Sequence, residues 1–193
     1  MRSSARIAAA LVSTAFAVSA TATGAFAQST TVKDKASDVI AYADDNDQNG
    51  TVLGYAESIA SGADLRSVTV DHGKTNVTLT IKFADLQNTT AVSVAFRPDA
   101  KKRPNRVLAN TGRASGVVFD TDGEARCTVK LKTRPGRSGS IKATVKRSCL
   151  GSPDKIRVSV AAVSLGDDGR LRVDSLSKGD PRRPVYTKAL KAS

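Results

Sequence analysis

Tryptophan is absent from this 193-residue chain, histidine and methionine occur once each, and cysteine occurs twice. One imidazole, His72, and two thiols fall short of the roughly four Cys/His ligands of a structural zinc site. A Ser-His-Asp or Cys-His arrangement would have to be built around that single histidine, which abuts a Gly73-Lys74 turn and reads as a polar turn neighbour; no G-x-S-x-G nucleophile elbow accompanies it. Glutamate occurs only at Glu57 and Glu124. A glycosidase pair would therefore fall to aspartates, without the aromatic floor of a sugar cleft. Aromatic side chains make up only 4% of the chain, so no base-stacking platform is interleaved with the cations. No helix is available for a DNA groove either, and sequence-specific nucleic-acid recognition is disfavoured. No catalytic residue is assigned, and a non-enzyme is expected.

Long apolar runs are also missing, with one exception. Met1-Arg-Ser-Ser-Ala-Arg6 is followed by an apolar stretch from Ile7 to Val18 and by small residues ending Ala25-Phe26-Ala27. A cationic head, an apolar stretch of about 7 to 15 residues and an A-x-A exit site are the marks of a secretory signal peptide. The stretch is shorter than the roughly 20 residues that span a bilayer. Cleavage after Ala27 would start the mature chain at Gln28, with no transmembrane segment remaining, and the expected location is extracellular or envelope-associated. In an oxidising compartment Cys127 and Cys149 read as one disulfide, the only intramolecular pairing two cysteines allow.

Charge is present in excess of one sign. The net charge is +12, and Arg2 and Arg6 would leave with the leader. Up to residue 99 the remaining chain carries 6 basic and 10 acidic side chains, but from residue 100 onward it carries 22 basic and 8 acidic ones. Such a distribution suits anionic partners, and for an exported protein these are acidic wall polymers, anionic lipid or extracellular nucleic acid. A basic surface that only maintains solubility is the plainer alternative.

Residues 28–61 are polar and rich in Asp, Ser, Gly and Ala, and read as a loosely docked leader segment with one candidate strand at 38–42 and a candidate helical stretch at 53–60. From residue 62 to 193 the pattern has period two. In residues 75–83, Val77, Leu79, Ile81 and Phe83 share one face while Asn76, Thr78, Thr80 and Lys82 share the other, which predicts a half-buried strand. A type II′ turn at Gly73-Lys74 would pair it with residues 66–72, Val70 opposite Val77 and Val68 opposite Leu79. Further strands are predicted at 91–97, 117–120, 127–133, 141–149, 155–162 and 171–176, with a basic, Pro-containing surface loop at 101–113. The fold class is all-β, an antiparallel β-sandwich of jelly-roll or Ig-like type with seven or eight strands, and a monomer is expected.

Residues 62–73, 75–86 and 149–160 resemble small exported β-sandwich proteins of high-GC Gram-positive bacteria, which mostly have no assigned function. More distantly the hairpin is similar to DOMON-type and family 9 carbohydrate-binding sandwiches. That resemblance implies haem or sugar binding. Haem ligation in those domains uses Met and His, and sugar binding uses stacked Trp, so the resemblance supports the fold and supplies no ligand.

Two kinds of candidate site remain. In the predicted hairpin 127–149, Lys130, Lys132, Lys142 and Lys146 alternate with apolar residues and share the outer face, while Arg134 and Arg137 sit in its Pro-Gly turn. With Lys101, Lys102, Arg103 and Arg106 near in sequence, this is a candidate polyanion patch; the competing explanation is that lysines guard an edge strand against aggregation. The other kind is acidic. Asp45, Asp47 and Asn49, followed by Gly50, reproduce the start of an EF-hand loop, but Ala56 stands where the bidentate Glu is expected. Asp120, Asp122 and Glu124 surround a hairpin-type Asp-Gly turn, as do Asp167 and Asp168. Each reads either as a calcium loop or as an ordinary Asx turn. No cofactor is expected unless calcium occupies one of them. The leading functional expectation is therefore a secreted protein that associates with an envelope or other extracellular polyanion through a basic hairpin face; the alternative is a calcium- or carbohydrate-binding module that uses loops at one end of the sandwich.

Overall fold

The structure, a computed structural model, describes residues 28–43, 47, 49–98, 103–177 and 179–193. The proposed leader sequence, Asp45, Lys101 and Lys102 lie outside the described residues. The elements in chain order are β1 (Gln28–Lys33), β2 (Ile40–Tyr42), β3 (Thr51–Val52), α1 (Tyr55–Ala60), β4 (Leu65–His72), β5 (Asn76–Phe83), β6 (Asp85–Leu86), β7 (Ala91–Arg97), β8 (Asn105–Asn110), β9 (Ser115–Phe119), β10 (Ala125–Arg134), β11 (Gly136–Arg137), β12 (Ser140–Lys146), β13 (Lys155–Leu165), β14 (Leu171–Ser175) and β15 (Leu190–Lys191). A 3-10 turn spans Arg147–Leu150.

The fold is all-β and antiparallel, as alternation predicts, but it is not two separate sheets of seven or eight strands. Twelve strands form one continuous sheet in the order β1-β4-β5-β12-β10-β9-β8-β7-β13-β14-β2-β3. The sheet curls over its own inward side chains. β15 closes the curl: it pairs with β13, the ninth strand, while its Leu190 carbonyl meets His72 Nδ1 of β4, the second strand, at 3.0 Å. The period-two apolar residues then merge into one core that runs from Val68, Leu79 and Ile81 through Ile141 and Val129 to Val94, Phe96, Val158 and Val160. Each such side chain removed from water contributes about 1.5–3 kcal/mol.

The difference from a sandwich comes from segments that composition disguises. Asn105–Asn110, inside the stretch expected to be a loop, is β8, with Val107 and Ala109 inward and Arg106, Leu108 and Asn110 outward. It joins what would otherwise be two sheets by pairing with both β7 and β9. Residues 28–61 supply three strands and a helical turn rather than one strand, and Val39, Ile40 and Ala41 are buried. α1 starts after Gly54, whose N–H donates to the Glu57 carboxylate at 3.3 Å.

The β4–β5 hairpin forms with a register two residues from the expected one: Val70 faces Leu79 and Val68 faces Ile81. Gly73 N–H donates to the Asn76 carbonyl at 3.0 Å, so the turn is centred on Lys74-Thr75, and Gly73 does not adopt the positive φ of a type II′ turn. A shift of two preserves the faces, which is why the core pattern survives the error.

Candidate basic face and acidic turns

β10 and β12 carry the cations because each strand places every second residue outward. Val129, Leu131, Ile141, Ala143 and Val145 are buried, while Lys130, Lys132, Lys142 and Lys146 are exposed. The ladder brings Lys132 directly opposite Lys142 and Lys130 opposite Thr144. On the far side of β12, Lys142 faces Thr80, Lys146 faces Asn76, and Ser140 faces Lys82 of β5; Ser140 also faces Arg134. Lys82 and Arg134 thus flank one serine. The six side chains occupy four consecutive cross-strand rows about 6.8 Å apart, on strands about 4.8 Å apart. None of these six is in an ion pair among the described residues.

Two details bear on how to read this face. β12 lies between β5 and β10, and β10 between β12 and β9, although the β9–β10 ladder stops at Lys130 and the β10–β12 ladder at Thr144. Lys130 and Lys142 are paired on both sides, and the edge-guarding explanation does not account for them. Like charges placed directly opposite each other also cost stability, which Lys132 and Lys142 incur without a compensating carboxylate.

The other basic residues are distributed differently. Arg137 belongs to β11, in a separate two-stranded ribbon where it lies opposite Asp85. Arg147 is tied into the fold by its guanidinium, which donates to the carbonyls of Lys74, Ser152 and Pro153. Arg103 and Arg106 line an open groove of about 580 Å³ with Pro104, Phe119, Asp120 and Asp122. Phe119 points outward there because it shares the parity of Ser115 and Val117, opposite to the buried Gly116 and Val118. Leu108 and Val117 are likewise exposed on this outer face.

The acidic turns use their carboxylates on their own main chain. Asp47 accepts from the N–H groups of Ala43, Asn49 and Gly50 at 3.0–3.1 Å, and these bonds hold its carboxyl below the usual range. Asn49 is exposed, and its carbonyl accepts from Arg182 at 2.9 Å. Asp120 Oδ1 accepts from Asp122 and Glu124 N–H, and Oδ2 pairs with Arg126 Nε at 2.6 Å; its pKa is lowered by the Glu124 main-chain bond first, by Arg126 next and less by the Asp122 bond. The Asp122 and Glu124 side chains are exposed. Asp168 accepts from Arg170 N–H and lies 3.5 Å from Arg172. This is Asx-turn chemistry.

Cys127 and Cys149 form a disulfide, with Cα atoms 5.9 Å apart. Cys149 is not on a strand as expected, since β12 ends at Lys146 and the cysteine sits in the 3-10 turn. The bond fastens that turn to the start of β10. His72 is not a surface turn residue: it is fully buried, with Nδ1 bonded to the Leu190 carbonyl and Nε2 without a partner among the described residues.

Sequence reading passed over two sets of residues. Lys82 extends the basic face from the neighbouring strand. Asp34 and Asp38 on the β1–β2 connection, Asp64 and Asp174 come from three separate parts of the chain, and only the sheet order brings those parts together. No helix among the described residues is long and apolar enough to cross a membrane. No protein-family model matches the chain, and no curated protein or solved structure does.

Proposed function

We propose that this chain is an exported binding protein that engages an anionic envelope or extracellular polymer through the outer face of β10 and β12. The observation that carries the reading is the in-register Lys132–Lys142 pair inside the sheet, flanked by Lys130, Lys146, Lys82 and Arg134 without carboxylate partners among the described residues. A protein under no demand from a partner would gain by replacing one lysine of the pair with threonine, as at neighbouring positions. Export is supported by the leader pattern of residues 1–27 and by the Cys127–Cys149 disulfide. A rigid strand face reads a repeating charge but no base edge, which suits a phosphate-bearing polymer recognised by charge density.

The test is retention on a phosphate-bearing matrix and on isolated cell walls. Replacing Lys130, Lys132, Lys142 and Lys146 by Gln leaves the inward residues untouched, and surface changes of this kind alter stability by less than about 0.5 kcal/mol each. The wild-type protein should bind at low salt, with affinity falling about a hundredfold between 50 and 200 mM as roughly four counterions are displaced. The folded quadruple variant should lose both the affinity and the salt dependence. Unchanged retention of that variant would reduce the face to a solvated surface.

A further inference from the structure

The segment joining β1 to β2 carries Asp34 and Asp38, and the sheet order lays it beside β14, which carries Asp174. One carboxylate oxygen from each of the three lies within 4.8 Å of the others. Asp174 is 0% exposed and Asp38 3%. Among the described residues neither Asp38 oxygen has a hydrogen-bond partner, and Asp34 Oδ2 has none either.

The main chain orients the other oxygens. Asp174 Oδ2 accepts from Leu65 N–H and Oδ1 from Ser175 N–H, each at 2.7 Å, and Asp34 Oδ1 accepts from Ser177 N–H at 3.0 Å. A carboxylate oxygen has a second lone pair after accepting one such bond. Asp64, next to the group, is already balanced: it holds Ser37 N–H at 3.3 Å and pairs with Arg66 at 3.1 Å. Asp34, Asp38 and Asp174 are in no ion pair among the described residues, although the charge of Lys35 acts on Asp38.

Three buried acceptors without donors cost several kcal/mol unless something neutralises them. Protons are one remedy. Desolvation, aided by mutual repulsion, pushes Asp34 up to about 7 and Asp174 up to about 8, and burial raises Asp38 as well. A cation is the other remedy, and it also uses the unpartnered oxygens. An all-oxygen donor set with neither His nor Cys selects a hard cation. Calcium binds oxygen at about 2.3–2.6 Å, so opposed ligands stand up to about 5 Å apart, which accommodates this set. Magnesium needs oxygens drawn to about 4 Å across the ion and keeps several of its waters, for which a buried pocket is ill suited.

We propose that Asp34, Asp38 and Asp174 form a calcium site that pins the β1–β2 connection to β14. The ion is structural, bridging parts of the chain that no ladder joins at this point. The site is independent of the basic face and differs from the acidic turns, whose carboxylates serve their own loops.

The experiment is calorimetric titration of the disulfide-bonded, chelator-dialysed protein with calcium chloride near pH 7.5, alongside thermal unfolding. One ion per chain should bind, and Tm should rise by about 5 °C at saturation. Asp38→Asn keeps the side-chain shape and should weaken binding at least tenfold, whereas Asp120→Asn should bind as wild type. If Asp38→Asn does not fold, Asp34→Asn, at a less buried position, is read the same way. Absence of heat and of any Tm change at about 10 mM calcium, or an equal response in the folded Asn variant, would overturn the site. An equal response to magnesium would overturn its assignment to calcium.

Discussion

Lys132 and Lys142 face each other in direct register across the β10–β12 ladder, two like charges on strands that are both interior to the sheet. Replacing either with Thr should therefore raise stability by about 0.2–1 kcal/mol while lowering affinity for an anionic polymer. Denaturant midpoints and salt elution measured on the same variant check both halves. A variant that lost stability and kept affinity would contradict the reading twice.

Gly116 lies on the inward parity of β9, where a Cβ would stand 2.6 Å from the Leu108 carbonyl oxygen of β8. The obstacle is backbone, so it cannot rotate away. Gly116→Ala should cost about 1–3 kcal/mol by forcing β8 and β9 apart, seen as a lower midpoint in urea. Gly123→Ala serves as a contrast in space, though its φ of +87° adds conformational strain.

The disulfide closes a loop between residues 22 apart in sequence. Replacing both cysteines by Ala should remove roughly 3 kcal/mol, a fall of about 10 °C in Tm. Thermal melts with and without reductant should show the same difference for wild type and none for the double variant.

Burial holds the pKa of His72 below the ordinary histidine value; the Leu190 carbonyl opposes the shift, the charge of Arg147 adds to it and that of Asp154 opposes it. The shift favours the neutral imidazole in the native state. Below about pH 6.5 the unfolded chain takes up a proton that the native chain refuses, so stability falls as pH drops toward the depressed native pKa. The limiting slope is about 1.4 kcal/mol per pH unit. Other groups titrate in the same range, so the measured quantity is the difference between wild type and His72→Gln. That difference should change between pH 7 and 5, and a pH-independent difference would refute the assignment.

How far the sequence could be read depended on where each residue's partners lie. β5, β7 and the Lys faces of β10 and β12 were legible because alternation is local: Val77, Leu79 and Ile81 point inward whatever strand lies alongside. β1 was not, because Gln28–Lys33 contributes little to the core beyond Val32 and joins the sheet through its backbone, along β4. β8 was hidden by its Pro, Arg and Asn neighbours, with only Val107 and Ala109 to mark its inward face. Turn position was legible to within one residue, enough to keep the faces and lose the register. The buried aspartates were the least legible, since Asp34 and Asp174 meet only through a sheet order that no local pattern encodes.

The bond from Lys191 N–H to Gln28 Oε1 spans 163 residues, and β2 likewise pairs with β14 across most of the chain. Contacts this distant are slow to form because loop closure must precede any energetic return. During synthesis the first strands are made long before the partners that close the curl, so the chain would spend that interval without its final closure. For a protein proposed to be exported, late closure would be an advantage: the same topology that delays folding would leave the polypeptide pliable during its passage across a membrane.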